Sequence, residues 1–149
     1  MGDILASRPS SIPRLIARVV LGLFLLFTGI GHLTFGREEF SAQVPDWLPV
    51  SDDIVVVVSG VTELALGAAL IAVPRYRVVV GWCVAAFFVA IFPGNISQYV
   101  NRVDAFGLTS DGARAVRLLF QPLLVLWALW CTGAWRERGT LRNLVGRRR

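Results

Sequence analysis

The sequence predicts an all-α fold, an integral membrane four-helix bundle that forms a single domain over residues 1–149. Hydrophobic residues make up 55% of the chain and charged residues only 17%, whereas a soluble domain carries about a quarter. Four apolar stretches are each long enough to cross the hydrocarbon core, which takes about 20 helical residues. The arginines are divided unevenly between the two sides of this bundle, which places the N-terminus and the C-terminus in the cytoplasm.

The predicted spans cover residues 12–35, 54–73, 77–99 and 113–135, and a basic cytoplasmic tail follows over residues 136–149. Pro13 suits the first turn of a helix, where its missing N–H is not needed. Ser51 can cap the second helix, and Pro74 closes it. Glycines on the first two helices offer small surfaces where neighbouring helices can approach closely. These glycines are Gly22, Gly29, Gly60 and Gly67.

The direction of the spans follows from the positive-inside rule. The side of the termini carries eleven of the 15 basic residues, all of them arginines: Arg8, Arg14, Arg18, Arg75, Arg77, Arg136, Arg138, Arg142, Arg147, Arg148 and Arg149. Most acidic residues fall on the opposite side: Glu38, Glu39, Asp46, Asp52, Asp53, Asp104 and Asp111. This pattern predicts a multi-pass membrane protein with both termini on the cytoplasmic side. The tail either lies on anionic lipid or serves only to fix the topology.

The composition also excludes several functions. The net charge of +5 does not predict a nucleic-acid partner, because the arginines lie between apolar runs rather than along one polar face. One histidine and two distant cysteines provide no metal-ligand set. Cys83 and Cys131 are expected to be small packing residues, and membrane lipid is the partner that the composition implies.

A layer of polar residues inside the predicted spans is the main functional signal. Its members all fall in the outer half of the bundle, and they are candidates for a ligand site: His32, Glu63, Asn95, Gln98, Arg117 and Gln121. Ionisable residues inside a membrane are expensive and usually functional. Glu63 is expected either to pair with Arg117 or to stay protonated. Pro93 is expected to interrupt the third helix, and Pro122 to free a carbonyl in the fourth.

Two interpretations of this layer stay open. One is a ligand or redox pocket, and the other is a structural clasp that fixes the register of four apolar helices. The loop of residues 37–53 is unusually apolar, and Trp47 within it either anchors the loop at the interface or covers the polar layer.

The chain resembles the DoxX family of small four-helix bacterial membrane proteins over about residues 14–130. The motifs that carry the resemblance are RVVLG at 18–22, GH at 31–32, VPDWLP at 44–49, SGVTEL at 59–64, FPGNI at 92–96 and RLLFQP at 117–122. Gly94 departs from the alanine usual in that family. The resemblance implies a four-helix membrane fold, a location in the bacterial cytoplasmic (inner) membrane and an association with membrane redox complexes.

Together these observations predict an accessory subunit of a membrane redox assembly, with a quinone or another small ligand in the polar layer. In that role His32 and Glu63 would handle protons, while Arg117 and Gln121 would hold a carbonyl or anionic group. The alternative is a non-catalytic scaffold or assembly factor. A protein partner in a redox complex or a homo-oligomer is expected. A transporter is less favoured, because four spans show no inverted repeat. The residues identify no catalytic group.

Overall fold

The computed structural model describes residues 10–137 and contains only helices, turns and loops over that range. Its α-helices are α1 (Ile12–Leu33), α2 (Arg37–Ser41), α3 (Asp52–Ala72), α4 (Arg77–Val100) and α5 (Asp111–Thr132). A 3₁₀ turn at Pro74–Tyr76 joins α3 to α4. The four long helices are apolar enough to cross a membrane, which confirms the all-α fold and four candidate spans.

The helix bounds differ from the predicted spans mainly at their ends. Pro13 lies in the first turn of α1, as predicted. α5 ends at Thr132 rather than at residue 135, because Gly133 adopts a left-handed φ of 76° that stops the helix. The prediction of an interruption at Pro93 is wrong: α4 continues through this proline. Neighbouring helices hold the segment, so losing one backbone donor does not break it.

Helices α1 and α3 pack closely through the glycines that the sequence singled out. A Cβ built on Gly67 would lie 2.8 Å from the carbonyl oxygen of Gly22. A Cβ built on Gly29 would lie 2.9 Å from the carbonyl oxygen of Gly60. Only glycine permits this backbone approach, since real Cβ contacts are longer. The close approach predicted for these four glycines is therefore confirmed.

Helices α4 and α5 form the second close pair. A Cβ at Gly81 would overlap the Thr132 side chain, so the two backbones meet near the end of α5. Buried apolar side chains from all four long helices join the two pairs into one core: Leu21, Leu25, Leu70, Val84, Phe88, Ala128 and Cys131. This core fills the half of the bundle that contains the 3₁₀ turn.

The segments of residues 34–51 and 101–110 meet at the other end of the bundle, called the loop end below. The backbone N–H of Phe106 donates to the Glu39 carboxylate, and the rings of Phe40 and Phe106 meet edge to face. These contacts tie the two segments together. The side of a membrane that this end faces stays a prediction, and residues 138–149 of the predicted tail lie outside the described residues.

Candidate ligand-binding pocket

A cavity of about 670 Å³ lies between the two helix pairs at the loop end. This volume is in the range of small-molecule sites, which are mostly apolar with a few placed polar groups. Its apolar lining includes Phe24, Val55, Val56, Ile91, Phe120, Leu124 and Trp127. Five of the six predicted site residues also line it: His32, Glu63, Asn95, Arg117 and Gln121. Most of the predicted polar layer therefore lines this cavity.

A chain of hydrogen bonds orders the α4 and α5 side of the pocket. Arg117 Nε donates to Asn95 Oδ1 at 3.2 Å, and Asn95 Nδ2 donates to Gln121 Oε1 at 2.8 Å. Gln121 Nε2 donates in turn to the Phe88 carbonyl at 2.6 Å. Each bond fixes which end of an amide faces which neighbour. Both amides are thereby oriented, and an amide oxygen is turned toward Arg117.

Gln43, in the segment between α2 and α3, completes this side of the pocket and was missed by the sequence analysis. Its Oε1 accepts a hydrogen bond from Arg117 Nη2 at 2.9 Å. Gln43 is only 8% exposed, and its Nε2 has no hydrogen-bond partner among the described residues. A glutamine in a loop carries no periodic signal, so its position beside α5 could not be predicted.

Phe106 covers the Arg117 guanidinium from the loop end. Its ring centroid lies 5.1 Å from the Arg117 Cζ, a cation–π distance. Phe106 holds a φ of 55°, a left-handed conformation that bulky residues rarely adopt. The Glu39 carboxylate and the Phe40 ring fix it in this conformation. The loops thus hold a strained residue in place over the cation.

His32 and Glu63 stand on the α1 and α3 side of the pocket. His32 Nδ1 lies 2.8 Å from Glu63 Oε2 and 3.0 Å from the Thr28 carbonyl oxygen. The direction of Nδ1 suits the Thr28 carbonyl, and Glu63 Oε2 makes no well-aligned hydrogen bond. The His32 ring stacks on Phe40 at 3.4 Å between centroids. His32 and Glu63 are therefore in close contact without an aligned hydrogen bond, and the pair ties α1 to α3.

The predicted pairing of Glu63 with Arg117 is wrong. Glu63 contacts His32, and Arg117 has no carboxylate within salt-bridge distance among residues 10–137. The packing of the helices explains this. α3 pairs with α1 through the glycines, so the Glu63 side chain meets α1 across that contact, whereas Arg117 meets α4 and the loops.

Gln98 does not line the pocket. Its Nε2 lies 3.4 Å from the Val103 carbonyl oxygen and 3.5 Å from that of Ala105, so it holds the turn after α4. Trp47 does line the pocket and is 69% exposed. It therefore lies at the mouth, and this position suits both predictions for it, a lid and an interfacial anchor.

One of the two cysteines differs from the prediction, and the end of the bundle opposite the loops contains charged residues. Cys131 is buried in the core, as predicted, but Cys83 is exposed on the bundle surface and does not pack there. The half of the bundle opposite the loops also contains a buried arginine, Arg18, whose Nε and Nη1 make no hydrogen bond within the described range. Arg77 Nε donates to the Thr132 carbonyl at 3.2 Å.

The four apolar helices are those of a multi-pass membrane protein. The chain belongs to the family described as a domain of unknown function (DUF8561), which matches residues 21–132. This match spans α3, α4 and α5 entirely and the second half of α1, so it includes every polar residue of the pocket. Comparison with curated proteins and with solved structures gave no match.

Proposed function

We propose that this protein binds a lipophilic small molecule with an oxygen-bearing head group in the pocket between its helix pairs. The observation that carries the proposal is Arg117, a cation that faces a mostly apolar cavity with only neutral partners. A charged side chain inside a span costs up to about 2.5 to 3.5 kcal/mol on insertion scales, the value for the centre, and less nearer an end, where Arg117 lies in the second turn of α5. A bound ligand that accepts hydrogen bonds from the guanidinium would offset part of this cost.

The shape and lining of the pocket support a ligand with an apolar body. Aromatic and aliphatic side chains cover most of the wall, and the polar groups are gathered at the loop end. A quinone and a lipid with its head group at that end both fit this distribution. On the opposite wall, His32 and Glu63 form a close pair that can exchange a proton with the bound molecule.

The wider role of the protein is proposed from its sequence. The DoxX resemblance supports an accessory subunit of a membrane redox assembly, with a quinone as the first cofactor to test. The same resemblance supports the bacterial inner membrane, and the distribution of arginines supports both termini in the cytoplasm. The protein would then hold the ligand for a partner that carries out the electron transfer, since the proposal assigns no catalytic group to this chain.

Native mass spectrometry of the full chain, released gently from its own membrane, tests the proposal. The wild type is expected to carry a small molecule that Arg117→Gln loses. Arg114→Gln is a matched control, because Arg114 lies one turn away on the same helix and does not line the pocket. If wild type and Arg117→Gln carry the same ligand content, or if none is found, the pocket is not the site.

A scaffold is the second candidate, and a specific observation favours it. The His32–Glu63 pair ties α1 to α3, and the Asn95–Gln121 bond ties α4 to α5, which is what a structural clasp requires. In that case, Arg117→Gln would lower only the stability of the bundle. Truncation after Trp135 would instead abolish the capture of a protein partner.

A further inference from the structure

We infer that the head group held at Arg117 is a carboxylate on a single alkyl chain, so that the pocket takes a free fatty acid or a close analogue. The inference rests on the proposed function and names the chemical class of its ligand. It comes from the count of charges and of unused hydrogen-bond donors at one corner of the pocket, called the Arg117 corner. Its members are Arg117, Gln43 and Asn95, and Phe106 covers Arg117 from outside the pocket lining.

The Arg117 corner holds one positive charge and no negative charge. The two hydrogen bonds of Arg117 go to neutral amide oxygens, those of Asn95 and Gln43. The pocket lining contains a single carboxylate, Glu63, and this group contacts His32 instead. Arg117 is half-buried, and a guanidinium that is partly withdrawn from water gains from an anionic partner, because an unpaired charge is costly away from water. An anionic ligand would balance it.

The donors of the Arg117 corner match a planar group with two oxygens. Nε and Nη2 of Arg117 already donate to protein oxygens, whereas Nη1 makes no hydrogen bond within the described residues. Gln43 Nε2 is also a donor without an acceptor there, and its Oε1 is fixed by Arg117. A carboxylate presents two oxygens and one charge, and it can accept from Arg117 and from Gln43 after a small side-chain adjustment.

The charge count separates a carboxylate from a phosphate monoester, although not from a phosphodiester, which also carries a single charge. A phosphate monoester carries nearly two negative charges at neutral pH, and the Arg117 corner offers one cation to balance them. The other arginine nearby, Arg114, is already paired with Asp104 and Asp111. A singly charged head group therefore fits better, and the apolar walls around Phe24, Ile91 and Leu124 suit an unbranched alkyl chain.

The experiment measures the binding of a series of saturated fatty acids and of the fatty alcohols of the same lengths. The purified full chain is held in a non-ionic detergent, and the complexes are counted by native mass spectrometry. The acids are expected to bind about tenfold or more tightly than the matching alcohols, the difference that one charge-assisted hydrogen bond gives. Arg117→Gln should remove this preference, and Arg114→Gln should keep it.

A second variant supplies the missing carboxylate from the protein itself. Gln43→Glu places an acid beside Arg117, where it would pair internally and occupy the place of the ligand head group. Fatty-acid binding should be lost while the thermal unfolding temperature is maintained or raised. If Gln43→Glu binds the acids as well as the wild type does, or if acids and alcohols bind equally, the inference is wrong.

The outcomes also separate this inference from the proposed function. A neutral quinone or alcohol that binds at the pocket and is lost in Arg117→Gln would sustain the proposed function and overturn the carboxylate assignment. Absence of any ligand from the native protein, together with no binding of acids, alcohols or a quinone, would overturn both.

Discussion

Two arginines one turn apart on α5 have opposite surroundings. Arg114 is 5% exposed and forms ion pairs with Asp104 and Asp111, and its Nε donates to the Val103 carbonyl at 3.3 Å. Arg117 faces the pocket and contacts amide oxygens and an aromatic ring. Both lie on the same face of α5, since residues three apart in a helix are neighbours. Their different partners assign Arg114 to the structure of the loop end and Arg117 to the site.

Residue type and depth in the membrane do not separate an arginine with a structural role from one with a functional role. The loop acids reach Arg114 because it lies in the first turn of α5, near the segment of residues 101–110. One turn deeper, the groups that reach Arg117 are amides. A cation left with amide partners beside a cavity is arranged to receive an anion or an oxygen dipole.

The largest effect is expected for ligand binding in Arg117→Gln. Loss of a charge-assisted hydrogen bond in a buried site weakens binding by about tenfold to a hundredfold. Titration of the purified chain with a fatty-acid series, or with whichever ligand the native protein carries, measures the change. Equal losses in Arg114→Gln and Arg117→Gln would remove the distinction between the two arginines.

Arg114→Gln is expected to lower the free energy of unfolding by about 1 to 2 kcal/mol. Charged hydrogen bonds contribute about 1.5 to 3 kcal/mol, but the partner aspartates are 65% and 57% exposed and can be solvated by water once Arg114 is gone. Thermal or denaturant unfolding in detergent measures it. Ligand affinity should be unchanged, and a large loss of affinity would contradict the structural role.

Gln121→Leu is expected to have a smaller effect that connects the two properties. The variant leaves Asn95 Nδ2 without its acceptor at 2.8 Å, which costs about 1 kcal/mol or somewhat more for a buried donor. It also removes the Gln121 amide that orients Asn95 toward Arg117, so ligand binding should weaken severalfold. Unfolding and titration of the same preparation check both. Unchanged binding would show that the Asn95–Gln121 bond is only a clasp.

Asp104→Asn should have the smallest effect, below about 1 kcal/mol, because this aspartate is mostly exposed and Asp111 continues to pair with Arg114. The unfolding free energy, compared with that of Arg114→Gln, measures how the ion-pair cluster divides its contribution. A loss as large as that of Arg114→Gln would mean that Asp104 alone stabilises the loop end.

The sequence was sufficient for the helices because the bilayer sets their length and the hydropathy pattern is strong. The α1–α3 contact was also predictable, since glycines at helical spacing mark a close approach. Five of six candidate site residues surround the pocket because depth in the membrane can be counted along a helix.

The partners within the layer could not be predicted, because depth does not say which helix is the neighbour. Glu63 and Arg117 lie at similar predicted depth, yet they belong to different helix pairs. Gln43 could not be placed because a loop residue has no periodic position. The predicted interruption at Pro93 was wrong because membrane helices tolerate a proline where surrounding groups compensate for the lost backbone donor. α4 is continuous through Pro93.

A crystal structure of the full chain grown from a lipid phase tests the central claim most directly. The account predicts a non-protein molecule in the pocket between the helix pairs, with its head group against Arg117 and Gln43 and its body along the apolar walls. An empty or collapsed pocket with Arg117 paired directly to Glu63 would contradict it, since the only unpaired pocket cation in the described residues would then be balanced by the protein itself.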